Sequence, residues 1–584
     1  MIHLPLLLVI LFATIAVASP PCYPAGSSGP VQAPVFVRNL SGQTSWYASP
    51  LIADLDGNGS NEIIAAYYDI FVFDSAGTLL DRTTDQQGRV YAPHVVTDLD
   101  GDGTVEVVAG RAHEVFAWEW IGGELTVKSG WPADTTTGGN SPEVRGLAAA
   151  DLDGDLDGDL DIEVVVTTTQ TVNTSAGGAQ VFVFNPDGST YQPTGGHIPA
   201  WPRYNTLAGA GNDADRNGQG HSGFGCYGLN VGIGDIDDDL DLEILATYDN
   251  HHIQAFDHDG VAINSAPYYT NRTSPWIGNR LTWGQFIRWA DPDVERDHFN
   301  LHKGIWPNPS WTEWMQWTAS PPGIIDLDGD GKNEVVGVPN VELYIPYVTQ
   351  AYAIMVLEGS HGDGTRSARR KPGWEVPPRG DTPIDVDGWY PPSGVPAPTL
   401  VDISGDARPE IIVSLNDGYV YAYEASGIRL WRTSYRHSKP IMFSSEVTVA
   451  DLNRDGVPEL LLATYGDPDV HDSGRLMVLS AGGIVLHDLL LPNPGHNGNG
   501  NGAPAAPTVG DVDGDGQLEV LVQTFDHGLD VFTVPGSATN CLPWSTARGG
   551  PWRMGQRNGP WMLTDLFADG FDFGHISMWS QTVP

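Results

Sequence analysis

One nine-residue phrase recurs eight times along this chain of 584 residues, and no other feature narrows the choice of fold as far. It reads DLDGNGSNE from Asp54 to Glu62, DLDGDGTVE from Asp98 to Glu106, DIDDDLDLE from Asp235 to Glu243 and DLDGDGKNE from Asp326 to Glu334. It continues as DISGDARPE from Asp402 to Glu410, DLNRDGVPE from Asp451 to Glu459 and DVDGDGQLE from Asp511 to Glu519. The remaining copy, DLDGDLDGDLDIE from Asp151 to Glu163, carries four extra residues. A repeat of about 45 to 60 residues with longer gaps in the middle marks an array of supersecondary units. A short apolar run, headed in most copies by a proline, precedes each phrase and a second apolar, mostly β-branched run follows it, as in SPLIA before Asp54 and IIAAYY after Glu62, so strands flank every loop. Around Asp402 the unit is fullest: APTLV, the loop, EIIVSL, an Asn-Asp-Gly turn, YVYAYE, a Ser-Gly turn and IRLWRTS. Four short antiparallel strands at this period describe a propeller blade. The expectation is an all-β β-propeller of eight blades, with seven as the alternative, and irregular insertions in the central blades.

Within the phrase, carboxylates or amides fall at positions 1, 3 and 5 and an acid at position 9, while positions 4 and 6 favour glycine. A backbone turned by glycine can aim such oxygens at one centre, and hard oxygen donors at flexible geometry suit Ca²⁺ better than Mg²⁺. The candidate ligands are Asp54, Asp56, Asn58 and Glu62; Asp98, Asp100, Asp102 and Glu106; Asp235, Asp237, Asp239 and Glu243; and Asp326, Asp328, Asp330 and Glu334. To these are added Asp402, Asp406 and Glu410; Asp451, Asn453, Asp455 and Glu459; and Asp511, Asp513, Asp515 and Glu519. The longer copy offers Asp151, Asp153, Asp155, Asp157, Asp159 and Glu163, with the frame starting at either Asp151 or Asp155. The phrases hold 34 of the 73 acidic residues, a density of like charge that costs stability unless cations occupy the loops. DLDGDGTVE, DLDGDGKNE and DVDGDGQLE have every element; Ser404 and Ala407 weaken the copy at Asp402, and Leu240 makes the geometry at Asp235 doubtful.

These phrases resemble the FG-GAP or VCBS repeats of integrin α-chain propellers and of many secreted bacterial proteins, over about residues 45–535. The resemblance implies several structural calcium ions and a ring closed by strands from both chain ends. Closure of that kind would bring Cys22 and Cys541 together as a bridge and leave Cys226 free. The Trp- and Arg-rich phrase 543–559 looks like the end of such propellers and is expected as the outer strand of the closing blade. The stretch 566–581 resembles a short C-terminal phrase of secreted proteobacterial proteins, which implies a sorting or attachment element.

Residues 1–18 read as a signal peptide, with an apolar run from Leu4 to Val17 and the small-x-small ending Ala16-Val17-Ala18, so the expected location is secreted or cell-surface, with the periplasm as the other choice. Residues 19–44 would contribute to ring closure, 45–562 form the propeller and 563–584 the tail. A net charge of −44 argues against a nucleic acid or an anionic membrane as partner, and no transmembrane segment is expected in the mature chain.

Specific chemistry would sit in insertions on the scaffold, at about 264–323 and 339–398. The first holds seven of the 19 tryptophans, from Trp276 to Trp317, and Trp311, Trp314 and Trp317 are candidate sugar-stacking residues if exposed, or a cap core if not. His298 and His302 with Glu295 lack a third ligand in a recognised frame. The function expected is an adhesion or carbohydrate/protein-recognition scaffold, its ligand a glycan or an extracellular protein. The alternative is a calcium-dependent polysaccharide-active enzyme resembling the rhamnogalacturonan-lyase propellers, although their N-terminal signature is missing.

Overall fold

The computed structural model describes residues 22–556 except for several segments, the longest being 153–160, 170–180, 192–227, 264–282, 292–313, 343–350, 382–396 and 493–500. The signal-peptide residues, Cys226, Glu295, His298, His302, Trp311 and the tail phrase 566–581 lie outside the described residues. Among the described residues, eight antiparallel sheets follow one another along the chain as blades, and a ninth is a two-stranded pair within the fifth repeat. In the first blade the strands are Leu51–Ala53, Glu62–Ala66, Ile70–Phe73 and Leu79–Arg82, paired in chain order. The sixth repeats that plan with Thr399–Val401, Glu410–Ser414, Tyr419–Tyr423 and Arg429–Ser434. The third and fourth blades have three described strands each.

Burial falls from the hub outwards, which explains two kinds of strand in one sequence. Second strands such as Glu62–Ala66, Glu163–Thr168 and Glu459–Gly466 are covered on both faces and read as unbroken apolar runs. Fourth strands such as Arg429–Ser434 and Val485–Leu490 alternate between exposed and half-buried and read as mixed sequence.

The apolar clusters lie between blades, not within them. Leu40, Ile63, Phe71, Leu521 and Leu529 join the eighth blade to the first, and Ile64, Val72, Val107 and Trp118 join the first to the second. Further clusters join the second to the third, the third to the fourth, the fourth to the fifth, the fifth through the sixth to the seventh, and the seventh to the eighth. The ring is therefore closed, and the molecule is an eight-bladed β-propeller.

Closure uses the N-terminal strand Val35–Leu40, which pairs antiparallel with Leu529–Val534 as the outer strand of the eighth blade. Cys22 and Cys541, 519 residues apart in sequence, are joined by a disulfide. The segment after Cys541 does not do what the sequence suggested. With the outer edge of the closing blade already taken by Val35–Leu40, it runs into the hub instead. There the N–H groups of Val449 and Val509 donate to the carbonyls of Trp544 and Ser545 at 2.8 Å each, and those of Ala149, Ile233 and Ile324 donate to Trp552, Met554 and Gly555 at 2.9, 3.0 and 3.0 Å. These donors sit on inner strands of the seventh, eighth, third, fourth and fifth blades, whose inner edges would otherwise lack a partner. The buried Arg553 reaches the first and second blades through Ser49 O at 3.2 Å and His94 O at 2.9 Å. The buried Arg548 reaches Val231 O at 3.0 Å, and its N–H shares Glu446 Oε1 with the Trp544 indole at 2.7 and 2.8 Å. The phrase thus plugs the channel. Among the described residues, no helix is long and apolar enough to cross a membrane.

Candidate metal centres

Each acidic phrase joins the first strand of a blade to the second, so all eight lie on one face. Their shared frame is a hydrogen bond that the sequence does not announce: the N–H at position 2 donates to the glutamate at position 9. Leu55, Leu99, Leu152 and Ile236 donate to Oε2 of Glu62, Glu106, Glu163 and Glu243 at 2.9, 2.8, 3.0 and 2.7 Å. Leu327, Ile403, Leu452 and Val512 do the same to Glu334, Glu410, Glu459 and Glu519 at 2.9, 2.7, 2.8 and 2.9 Å. The bond sets the ends of the longer third copy at Asp151 and Glu163; its inner acids Asp153, Asp155, Asp157 and Asp159 lie outside the described residues.

Inside the loop the carboxylates accept from the backbone that folds around them. Asp54 takes the N–H groups of Asn58 and Gly59 at 3.1 and 2.7 Å, and Asp511 takes those of Gly514 and Gly516 at 2.8 and 3.0 Å. At position 5, Asn58, Asp102, Asp330, Asp406, Asp455 and Asp515 each accept from the residue two further on. Positions 4 and 6 are left-handed, as at Gly514 and Gly516 with φ of 72° and 84°. Ala407 holds position 6 at φ 65° in spite of its side chain, so the copy around Asp402 keeps the common geometry. Leu240 lies outside the described residues.

Ligand atoms of Asp54, Asp56 and Glu62 all lie within 4.8 Å of one another, as do those of Asp98, Asp100 and Glu106, of Asp235, Asp237 and Asp239, of Asp326, Asp328 and Glu334, and of Asp402, Asp406 and Glu410. Oxygens grouped this closely are what an oxygen-loving divalent ion requires. Glu243 supplies an independent mark of fit, because its carboxylate is fully buried and Oε1 has no hydrogen-bond partner. Burial, opposed by the N–H bond from position 2, pushes the glutamates above their ordinary range: Glu106, Glu334 and Glu519 to about 7, Glu459 to about 8 and Glu243 to about 9. The folded, ion-free chain therefore holds protons that the unfolded chain has released above about pH 4.5. The stability these glutamates contribute is expected to be fully present below that pH and to be lost as pH rises through about 7 to 9, whereas calcium should flatten the dependence. Melting curves of decalcified and calcium-saturated protein at pH 5, 7 and 9 measure this; equal stability of decalcified protein across that range would contradict it.

Neighbouring loops are tied together. Ile162 N–H donates to Leu99 O at 2.9 Å and Leu242 N–H to Leu152 O at 3.1 Å, while the Asn61 and Asn333 amides reach Asp511 O and Asp235 O at 2.7 and 2.6 Å. The loop at Asp451 is also covered by the chain ends: Cys541 O accepts from Asp451 N–H at 3.1 Å, Gly456 O accepts from Cys22 N–H at 3.2 Å, and the Asn540 amide donates to Asp451 Oδ2 at 2.8 Å.

Two residues passed over in the sequence enter these loops. Lys128 Nζ lies 2.8 Å from Asp100 Oδ2, 3.0 Å from Glu106 Oε1 and 3.2 Å from Glu119 Oε1. Lys371 Nζ lies 2.6 Å from Asp328 Oδ2 and 2.7 Å from Glu334 Oε1. The signal that could have found them is a second repeated phrase, K-x-G-W, at Lys128–Trp131 and Lys371–Trp374.

The tryptophan candidates divide. Trp317 is fully buried with Ile253, Met315, Ile324 and Trp283, the position of a core residue and not of an exposed stacking platform. Trp314 opens the strand Trp314–Gln316, which pairs with Asn340–Glu342; its side chain, like Trp311, lies outside the described residues.

No family model matches the sequence, and no curated protein matches it. Among solved structures the chain is similar to the biofilm matrix protein Bap1 of V. cholerae, at 14% identity over 86% of this chain and 92% of that one, with a TM-score of 0.35. It is also similar to the Dos1 propeller, at 9% identity over 86% and 95% with a TM-score of 0.41, and to BBS1N in complex with ARL6DN, at 10% identity over 86% and 98% with a TM-score of 0.37. At such scores these likenesses add nothing to the strand topology, which defines the class by itself.

Proposed function

We propose that this chain is a secreted, calcium-stabilised propeller of the FG-GAP or VCBS type that serves as an adhesion or recognition scaffold for a glycan or an extracellular protein. The observation that carries the reading is the repetition of one oxygen cage in blade after blade, framed each time by the bond from position 2 to position 9. A catalytic ion would be singular, whereas repetition around the ring is what a structural ion requires. In this reading Asp, Asn and Glu side chains at positions 1, 3, 5 and 9 hold the ions, which supply charge neutralisation and rigidity.

Recognition falls to the opposite face, where second strands turn into third strands and blades connect, and where the central insertions depart. The described part of that face includes Tyr67, the exposed Tyr68 and Tyr91, with the Arg145 guanidinium 3.7 Å from the Tyr91 ring centroid. Such an aromatic and cationic surface suits sugar rings or polar protein loops. Retention of calcium-loaded protein on arrays of glycans and extracellular proteins tests the reading, with polysaccharide digests followed in parallel for ultraviolet-absorbing unsaturated products. Retention without product formation supports the scaffold; turnover of a polysaccharide would replace it with the enzymatic reading.

A further inference from the structure

The two loops whose sequences look most complete as ion sites beside DVDGDGQLE are the two that already contain a cation. Lys128 and Lys371 each touch the same pair of positions, the third and the ninth, and each ammonium engages Glu Oε1, the oxygen that the position-2 N–H leaves available. Both side chains are 6% exposed, so neither is a surface lysine drifting over an acidic patch.

Their placement is built by the K-x-G-W turn. The N–H of Trp131 donates to Lys128 O at 3.1 Å and that of Trp374 to Lys371 O at 2.9 Å. The intervening Gly130 and Gly373 both have φ of 90°, and a Cβ on Gly130 would stand 2.0 Å from Asp187 O in the next blade. Each indole then crosses to the following blade, Trp131 Nε1 to Pro186 O at 2.8 Å and Trp374 Nε1 to Ala425 O at 2.7 Å. The turn is thus anchored without help from the lysine side chain, and it delivers that side chain inward to its own blade's acidic loop. The chain has five lysines in all, and the phrase uses two of them for this.

We propose that Lys128 and Lys371 are tethered cations that take the place of the divalent ion in the second and fifth acidic loops, leaving the other loops to bind calcium; the proposal rests on the calcium reading above. An ion drawing on Glu106 Oε1 and Asp100 Oδ2 would have to displace the ammonium from both. Asp98 Oδ1 and Asp100 Oδ1 are buried without a hydrogen-bond partner, but an ion held by them alone would lie beside a like charge. The loop at Asp235 shows the opposite state: Glu243 Oε1 is buried with no hydrogen-bond partner, and the nearby Lys332 pairs with Asp238, at position 4, where no ligand is expected. Two of the eight blades therefore carry their own counter-charge and stay ordered when calcium is withdrawn.

The test is the calcium content of the full-length protein after equilibrium dialysis, measured by atomic emission for wild type, Lys128→Met, Lys371→Met and the double variant. One additional ion per chain in each single variant and two in the double variant are expected. Equal, non-zero content in all four overturns the proposal and leaves the calcium reading standing, and no bound calcium in any of them overturns both. Should the variants fail to fold, anomalous scattering from calcium-soaked wild-type crystals decides. Ions in other loops but not at Asp98–Glu106 or Asp326–Glu334 support the proposal; an ion in either of those two with its lysine displaced, or no ion anywhere, overturns it.

Discussion

Stripping calcium from the folded protein is expected to lower its melting temperature by on the order of 10 °C, and readdition is expected to restore it. A ligand that binds only the folded state adds about 2.7 kcal/mol per site at a hundredfold excess over its dissociation constant. Six such loops, with the lysine-filled pair set aside, would sum to about 16 kcal/mol, and for a chain of this size each kcal/mol moves the midpoint by about 1 °C. The physical source is the ring of buried ninth-position glutamates and half-buried aspartates on one face, whose like charges repel one another. Single changes should follow the same logic. Asp513→Ala should cost more than Ser404→Ala in calcium, and the difference should vanish in chelator. A melting curve indifferent to chelator would remove the structural role assigned to the ions.

Breaking the bridge between Cys22 and Cys541 by the double change to serine is expected to cost about 4 to 5 kcal/mol, the upper end for a disulfide, because it closes a very long loop. The bridge spans 519 residues of sequence, and both its ends are woven into the seventh acidic loop through Gly456 O and Asp451 N–H. Its loss should therefore also weaken ion binding at Asp451, and the stability deficit should be larger in calcium than in chelator. Peptide mapping under non-reducing conditions checks the pairing, with Cys226 expected as the free thiol, and calorimetry of the double variant checks the cost. A deficit under about 1 kcal/mol would show that strand pairing alone closes the ring.

The acidic phrase was legible because its geometry is local. The glycines at positions 4 and 6 mark left-handed backbone, and the side chains that collect at the centre are at most eight residues apart, so spacing alone says which oxygens converge. Blade strands were legible for a similar reason, since a second strand buried on both faces must be an unbroken apolar run. Between a stacking platform and a core the tryptophan composition could not choose, because composition does not report burial: Trp317 packs into the interface between the fourth and fifth blades. The described part of the closing phrase, 543–556, misled because its expected place, the outer edge of the last blade, was already filled from the other end of the chain.

Repetition in the amino-acid order was enough to specify an all-β propeller, with eight blades expected and seven as the alternative, and to mark the acidic loop of each blade, because a blade is built from contacts close in sequence. Which acidic loops receive a lysine side chain was decided by the folding of single blades, and where the segment after Cys541 lies was decided by closure of the ring. Arg548 and Val231 are 317 residues apart, Arg553 and Ser49 are 504 apart, and Lys128 meets Glu106 only after a third and a fourth strand have turned it back. The arginine pairs leave no periodic trace in the sequence, since nothing in the spacing of two distant residues says that eight packed sheets will bring them within hydrogen-bonding reach.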